Sequence, residues 1–247
     1  MDPTGNRGSP ANPSSAPPSS ADAREVAKFD ALAEQWWNPR GPMAPLHAMN
    51  PARMGWIAGL LGDVAGQRVL DVGCGAGLAS EWLARRGACV VGLDAAGAAL
   101  DAARAHAAAE GVAVDYRTGT PETLDETDFD AVLALEVIEH VPPEERAAFL
   151  AALTRAVKPG GWVVLSTLNR TPRAYAVAKL GAEYLLRWLP VGTHDWKLFL
   201  RPAELGALMR GAGLAVTEVA GLTPSLRQGF RISRDVGVNY IMAGRRV

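Results

Sequence analysis

The sequence predicts an α/β fold built on a mostly parallel sheet, and three observations carry that reading. Short apolar runs alternate with helical runs from Arg68 onward. A glycine-rich turn, "GCGAG" over Gly73–Gly77, joins the first apolar run to the helix after it. A carboxylate, Asp94, ends the second apolar run. Parallel neighbours need crossover helices, and such helices cover both faces of the sheet.

The elements follow in order. Residues 1–23 are rich in Pro, Ser, Ala and Gly and nearly free of large apolar side chains, which predicts a disordered tail. Residues 24–247 read as one domain, with 24–66 as an N-terminal helical cap. In "REVAKFDALAEQWW", Val26, Phe29, Ala33, Trp36 and Trp37 recur at helical spacing. "NPRGP" ends that helix. A second helix is expected from Asn50 as N-cap with Pro51 at its first position.

"RVLDVGC", "CVVGLD", "VAVDYRT", "FDAVLALE" and "GWVVLSTLN" read as five strands. "LASEWLARRGA" and "AALDAARAHAAAEG" read as helices stopped by Gly87 and Gly111, and "PPEERAAFLAALTRAVKPGG" as the helix before the fifth strand. "LAVTEVAGL" and "VGVNYIMAGRR" add two late strands, seven in all.

Composition narrows the function. A net charge of −1 gives no global attraction to nucleic acid. Two cysteines, Cys74 and Cys89, are too few for a disulfide framework or a zinc site, which predicts a reducing, cytoplasmic setting; both are expected to be buried. No apolar run reaches the roughly 18–20 residues of a spanning helix.

Glycines in the loop allow a sharp turn and let a ligand approach where a Cβ would stand. The third glycine is at 77 and position 78 is Leu, so the Gly-x-Gly-x-x-Gly dinucleotide fingerprint is not met. This disfavours a nicotinamide dehydrogenase. Asp94, at the end of the second strand, is placed to accept both hydroxyls of a ribose.

"VLDVGCGAG…GLD", with "EVIEHV" and "VKPGGWVVLST", resembles the class I S-adenosylmethionine-dependent methyltransferases. The resemblance implies a Rossmann-like fold with a seven-stranded, mostly parallel sheet, an antiparallel late strand and helices on both faces. "FDALAEQWWNPRGPMAPLHAMNPAR", "STLNRTPRAYAVAKLGAEYLLRWLPVGTHDW" and "VGVNYIMAG" resemble one branch, the ubiquinone-biosynthesis O-methyltransferases, from Glu25 to Gly244. That branch methylates phenolic hydroxyls on a polyprenylated ring at two stages of quinone assembly. The resemblance implies cofactor contacts at Arg53, Gly73, Asp94 and Leu135. Arg53 would pair with the cofactor's carboxylate, Gly73 belongs to the loop around its methionine part, and Leu135 would flank the adenosine. The chain departs from the branch at Ala76, at Gly237 and in "GLTPSLRQGF".

A phenol is a weak nucleophile until deprotonated or polarised. If "EVIEH" turns helically, Glu136, Glu139 and His140 share a face. His140 could then act as the general base. The alternative, implied by the family's eukaryotic members, is Mg²⁺ or another divalent cation held by Glu136, Glu139 and His140. His194 and Asp195 are second candidates for ordering the acceptor.

Residues 172–200 read as an amphipathic insertion near the acceptor. Lys179, Glu183 and Arg187 form a polar stripe, and Tyr175, Val177, Leu180, Tyr184, Leu185, Leu186 and Trp188 fill the apolar face. A polyprenyl acceptor resides in the bilayer, so the 173–189 helix is expected to lie on the lipid surface, making the protein peripheral on the inner membrane. Packing on the protein's own sheet is the alternative. Two rival functions share the core motifs: a methyltransferase with another small acceptor, and a non-catalytic subunit of a quinone-synthesis complex. Such a complex is also a candidate partner.

Overall fold

Side chains alternate along each strand, and here both sets are apolar, so both faces of the sheet must be covered. The computed structural model describes residues 26–27, 30–177, 196–225 and 227–247. The expected tail, most of the amphipathic insertion, His194 and Asp195 lie outside these residues. The strands are β1 (Arg68–Val72), β2 (Cys89–Asp94), β3 (Asp115–Thr118), β4 (Phe129–Leu135), β5 (Val157–Leu168), β6 (Leu214–Ser225), β7 (Gly229–Ser233) and β8 (Asn239–Arg246). They form one sheet in the order β3-β2-β1-β4-β5-β8-β6-β7. The first five are parallel; β8 runs antiparallel to β5 and β6, and β7 antiparallel to β6.

Six helices are described: α1 (Ala44–Leu61), α2 (Leu78–Ala84), α3 (Gly97–Ala109), α4 (Arg146–Ala156), α5 (Pro172–Tyr175) and α6 (Pro202–Gly211). Phe149, Leu150 and Leu153 of α4 and Leu205 and Met209 of α6 cover one face, packing with Val132, Val163 and Leu165. Met54 and Ile57 of α1 and Leu83 of α2 cover the other, with Leu133, Val164 and Ile241. Val163, Val164 and Leu165 are consecutive and belong alternately to the two cores, as a period of two requires. Strand order reverses direction between β1 and β4. The crevice beyond their carboxyl ends is where a ligand is expected in such sheets.

Four expectations change. The sheet has an eighth strand, β7, in "GFRIS", whose apolar signal is only two residues, Phe230 and Ile232. Helix α1 begins at Ala44, with Pro45 in its first turn and Pro51 inside it. Asn50 is therefore no cap; it is buried, and its Nδ2 donates to the Leu78 carbonyl at 3.0 Å. After Ala156 the chain goes straight into β5, because Pro159 cannot continue a helix and Gly160 adopts φ +75°. Cys74 is buried as expected, but Cys89, the first residue of β2, is exposed.

Two glycines of opposite character test the packing. A Cβ on Gly221 would collide with the backbone carbonyl of Asp235, whereas one on Gly55, exposed on α1, meets nothing within 4 Å. Gly221→Ala is expected to cost about 1–3 kcal/mol by overpacking. Gly55→Ala should stabilise by about 0.5–1 kcal/mol by restoring helix propensity. Thermal melts of the two variants should move in opposite directions, at roughly 2–4 °C per kcal/mol.

Candidate active site

The glycine loop leaves β1 and enters α2 with Gly73, Gly75 and Gly77 all in the left-handed region, at φ +67°, +54° and +89°. Ala76 is not in that region, so its departure from glycine costs no backbone strain. The Cβ directions of the three glycines are filled by the protein itself: Val137 faces Gly73, Trp36 faces Gly75 and Tyr116 faces Gly77. A close approach does demand glycine here, but it is made by three side chains of the fold. Trp36 is 5% exposed and joins the core of Cys74, Ala76 and Leu100.

Asp94 stands at the tip of β2 beside this loop. Its Oδ2 accepts the Gly75 N–H at 2.7 Å and its Oδ1 the Ala96 N–H at 2.8 Å. Burial pushes its pKa up, against the pull of these backbone donors. Each oxygen keeps a second lone pair, which suits a pair of sugar hydroxyls. Arg53 comes from α1, is 4% exposed, and donates from Nε to Asn50 Oδ1 at 3.1 Å. Burial lowers its pKa, while Glu136 and Asp71 favour its charge. Because Asn50 also holds Leu78, the arginine is tied to the loop's far end. Leu135 closes β4 with 7% exposure. The acidic acceptor, the buried guanidinium and the glycine turn together fit a ligand that carries a ribose and a carboxylate.

The turn after β4 carries the remaining candidates. Glu136 adopts φ +59°, one of two non-glycine residues with positive φ among those described. The strain is held by three bonds: Glu136 N–H to Ser166 O at 2.9 Å, Ser166 Oγ to Glu136 Oε1 at 2.6 Å, and Asn239 Nδ2 to Glu136 Oε2 at 2.9 Å. Glu139 is 3% exposed and accepts Thr167 Oγ1 at 2.8 Å. Burial, with the neighbouring Glu136 charge, pushes its pKa up to about 7, while His140 opposes the shift. His140 ends the single 3-10 turn Ile138–His140 and is partly exposed.

The structure does not bring Glu136, Glu139 and His140 together as a metal-ligand set. Ser166 and Thr167 are adjacent in β5 and face opposite sides of the sheet, so the two glutamates they hold diverge. Among the described residues no group of three His, Cys, Asp or Glu side chains is arranged to hold a metal ion. Residues donors for this turn that sequence reasoning missed are Ser166, Thr167 and Asn239. Their signal was faint: polar residues where a buried strand end would otherwise be apolar.

Comparisons with known proteins bear on the fold and the family. A family model described as a methyltransferase domain matches residues 69–161. The ubiquinone biosynthesis O-methyltransferase of Alkalilimnicola ehrlichii is 52% identical over 221 residues, covering 88% of this chain and 89% of that protein. Its counterpart from Pseudomonas aeruginosa is 49% identical over 232 residues, covering 92% and 99%. Among solved structures, magnesium protoporphyrin IX methyltransferase from Synechocystis, with SAH bound, aligns with a TM-score of 0.68 at 20% identity, covering 91% and 100%. That likeness shows the fold, whereas identity near one half along almost the whole chain shows more: this protein belongs to the ubiquinone biosynthesis O-methyltransferase family.

Proposed function

We propose that the chain methylates phenolic hydroxyls of polyprenylated quinone precursors at both O-methylation steps, using S-adenosylmethionine. The supporting observation is the meeting of three elements at the sheet's switch point: Asp94 at the tip of β2, bonded to the glycine loop, the buried Arg53, and the turn from Glu136 to His140. When bound, the cofactor supplies an electrophilic methyl group on a sulfonium.

In this reading Asp94 accepts the ribose hydroxyls and Arg53 pairs with the cofactor's carboxylate, a pairing that suits a forked guanidinium. Gly73 opens the loop around the methionine part, and Leu135 flanks the adenosine. His140 takes the proton from the acceptor hydroxyl as its oxygen attacks, a general-base step worth about 10²–10⁴ in rate. The rest of the acceleration comes from alignment of oxygen, methyl and sulfur. The divergence of Glu136 and Glu139 favours this base over a divalent cation as the activating group.

The acceptor's polyprenyl tail brings in the membrane. Among the described residues no helix is long and apolar enough to cross one. Exposed aromatic residues flank the 178–195 stretch on both sides: Tyr175 is 39% and Trp196 37% exposed, and their rings meet edge to face at 6.2 Å. Val177 adds 46% exposure. These exposed groups support a lipid-facing role for the 173–189 segment, with the protein peripheral on the membrane.

Three experiments test these assignments. Asp94→Ala should weaken cofactor binding at least about tenfold, since hydrogen bonds to a charged group contribute roughly 1.5–3 kcal/mol each. Calorimetry that returns wild-type affinity from a folded variant would remove Asp94 from the ribose site. His140→Ala should slow turnover by about 10²–10⁴ with cofactor affinity nearly intact. If EDTA abolishes wild-type activity and Mg²⁺ restores it, the cation, not the imidazole alone, activates the hydroxyl. Leu185→Ser with Leu186→Ser removes two apolar anchors worth about 1.5–3 kcal/mol each when buried. Liposome co-sedimentation should drop while the melting temperature holds; a large fall in melting temperature instead assigns the segment to the protein core.

A further inference from the structure

Arg146 is in an unfavourable place for a cation. It is the first residue of α4, where the helix dipole disfavours positive charge, and it is only 7% exposed. Burial lowers its pKa, and Arg170 nearby does the same, against the pull of Glu139 and Glu204. A guanidinium held against these costs is fixed by directed bonds. Its Nε donates to the Val141 carbonyl at 3.0 Å, and its Nη2 donates to the Leu198 carbonyl at 2.6 Å.

Those two carbonyls belong to different parts of the site. Val141 immediately follows the turn Ile138–His140 and closes it through its own N–H to Ile138 O. Leu198 ends the 3-10 turn Trp196–Leu198, whose Trp196 ring meets that of Tyr175 edge to face. A second bond holds the same run of chain, Tyr240 Oη donating to Leu200 O at 3.1 Å. Tyr240 does not reach the turn through that bond; the Arg146 fork joins both.

We propose that Arg146 is a positioning residue for methyl transfer, setting the turn that carries His140 against the Trp196–Leu198 turn on the acceptor side. The inference rests on His140 as the base and on the acceptor entering beside the Trp196–Leu198 turn. One planar group bonded to both segments fixes their separation, and a lysine, with a single flexible ammonium, cannot reproduce the fork. Misplacement of a reacting group by about 1 Å can cost about 10²-fold in rate.

The test is a kinetic cycle on the full chain with a soluble short-tail acceptor. Arg146→Ala should lower kcat by roughly 10–100-fold with cofactor affinity nearly unchanged. Arg146→Lys should recover only part of the loss, and millimolar guanidinium should restore part of the activity of the Ala variant. Tyr240→Phe, which frees Leu200 but leaves the turn held, should keep most of its kcat. In a His140→Ala background the Arg146→Ala loss should largely disappear, because residues that act as a unit are not additive. A kcat for Arg146→Ala equal to wild type, or losses that simply multiply in the double variant, would overturn the inference. Wild-type turnover in the single His140→Ala variant would instead overturn the base assignment.

Discussion

One half-buried carboxylate joins the two strand–helix turns that form the cofactor side of the site. Asp94 accepts the Gly75 N–H from the turn after β1 and the Ala96 N–H from the turn after β2. The Gly73 N–H reaches back to the Leu93 carbonyl at 2.7 Å, so the same two turns are laced from both directions. Left-handed glycines make this possible, since the loop must reverse within five residues while three bulky side chains close on it. The loop's shape therefore depends on the fold's own packing, and a ligand would meet N–H groups already oriented.

The turn after β4 is held by a different device. Glu136 sits in a conformation that ordinary residues avoid, and bonds from both β5 and β8 keep it there. Strain of this kind persists only where the surroundings over-determine it, and it clusters at functional sites. The antiparallel insertion of β8 beside β5 has a local consequence: it places Asn239 opposite Leu168, two positions past Ser166, within reach of the same carboxylate. Arg146 and Thr167 secure the other side of the turn. His140 is thus carried by a short segment bonded from three neighbouring elements, which is how a rigid scaffold aims one side chain.

Much of this was legible in the sequence for reasons that can be named. Alternation of apolar runs with helices, and Asp94 after "CVVGL", are local patterns, and the parallel core and the Asp94 position follow from them. Where tertiary contacts decide, local reading failed. Asn50-Pro51 has the signature of a helix start, yet the helix begins at Ala44 because Asn50 is needed to bridge Arg53 and Leu78. Strand β7 packs only Phe230 and Ile232 inward against the α1 side, too short a signal to register. Helical spacing would have put Glu136, Glu139 and His140 on one face, but the helical turn spans only Ile138–His140, Glu136 stands outside it at positive φ, and adjacent residues of β5 draw the two glutamates to opposite faces.

The buried acids also show that the site is not arranged for stability. Burial pushes Asp71 up to about 6 and Glu139 up to about 7. An unfolded chain would release both protons near pH 4. Between there and the folded values the native state holds more protons than the unfolded one, so stability falls as pH rises through that window and levels off above it. Neutralising either residue by an apolar substitution would relieve that cost yet lose a function of position. Asp71 accepts Ser80 Oγ at 2.6 Å behind the glycine loop, and Glu139 accepts Thr167 beneath the turn of His140. Arg53 and Arg146 carry the complementary burden, buried cations whose charge these acids favour. Opposite charges held apart in fixed, poorly solvated positions cost stability but need no rearrangement as charge moves during the reaction.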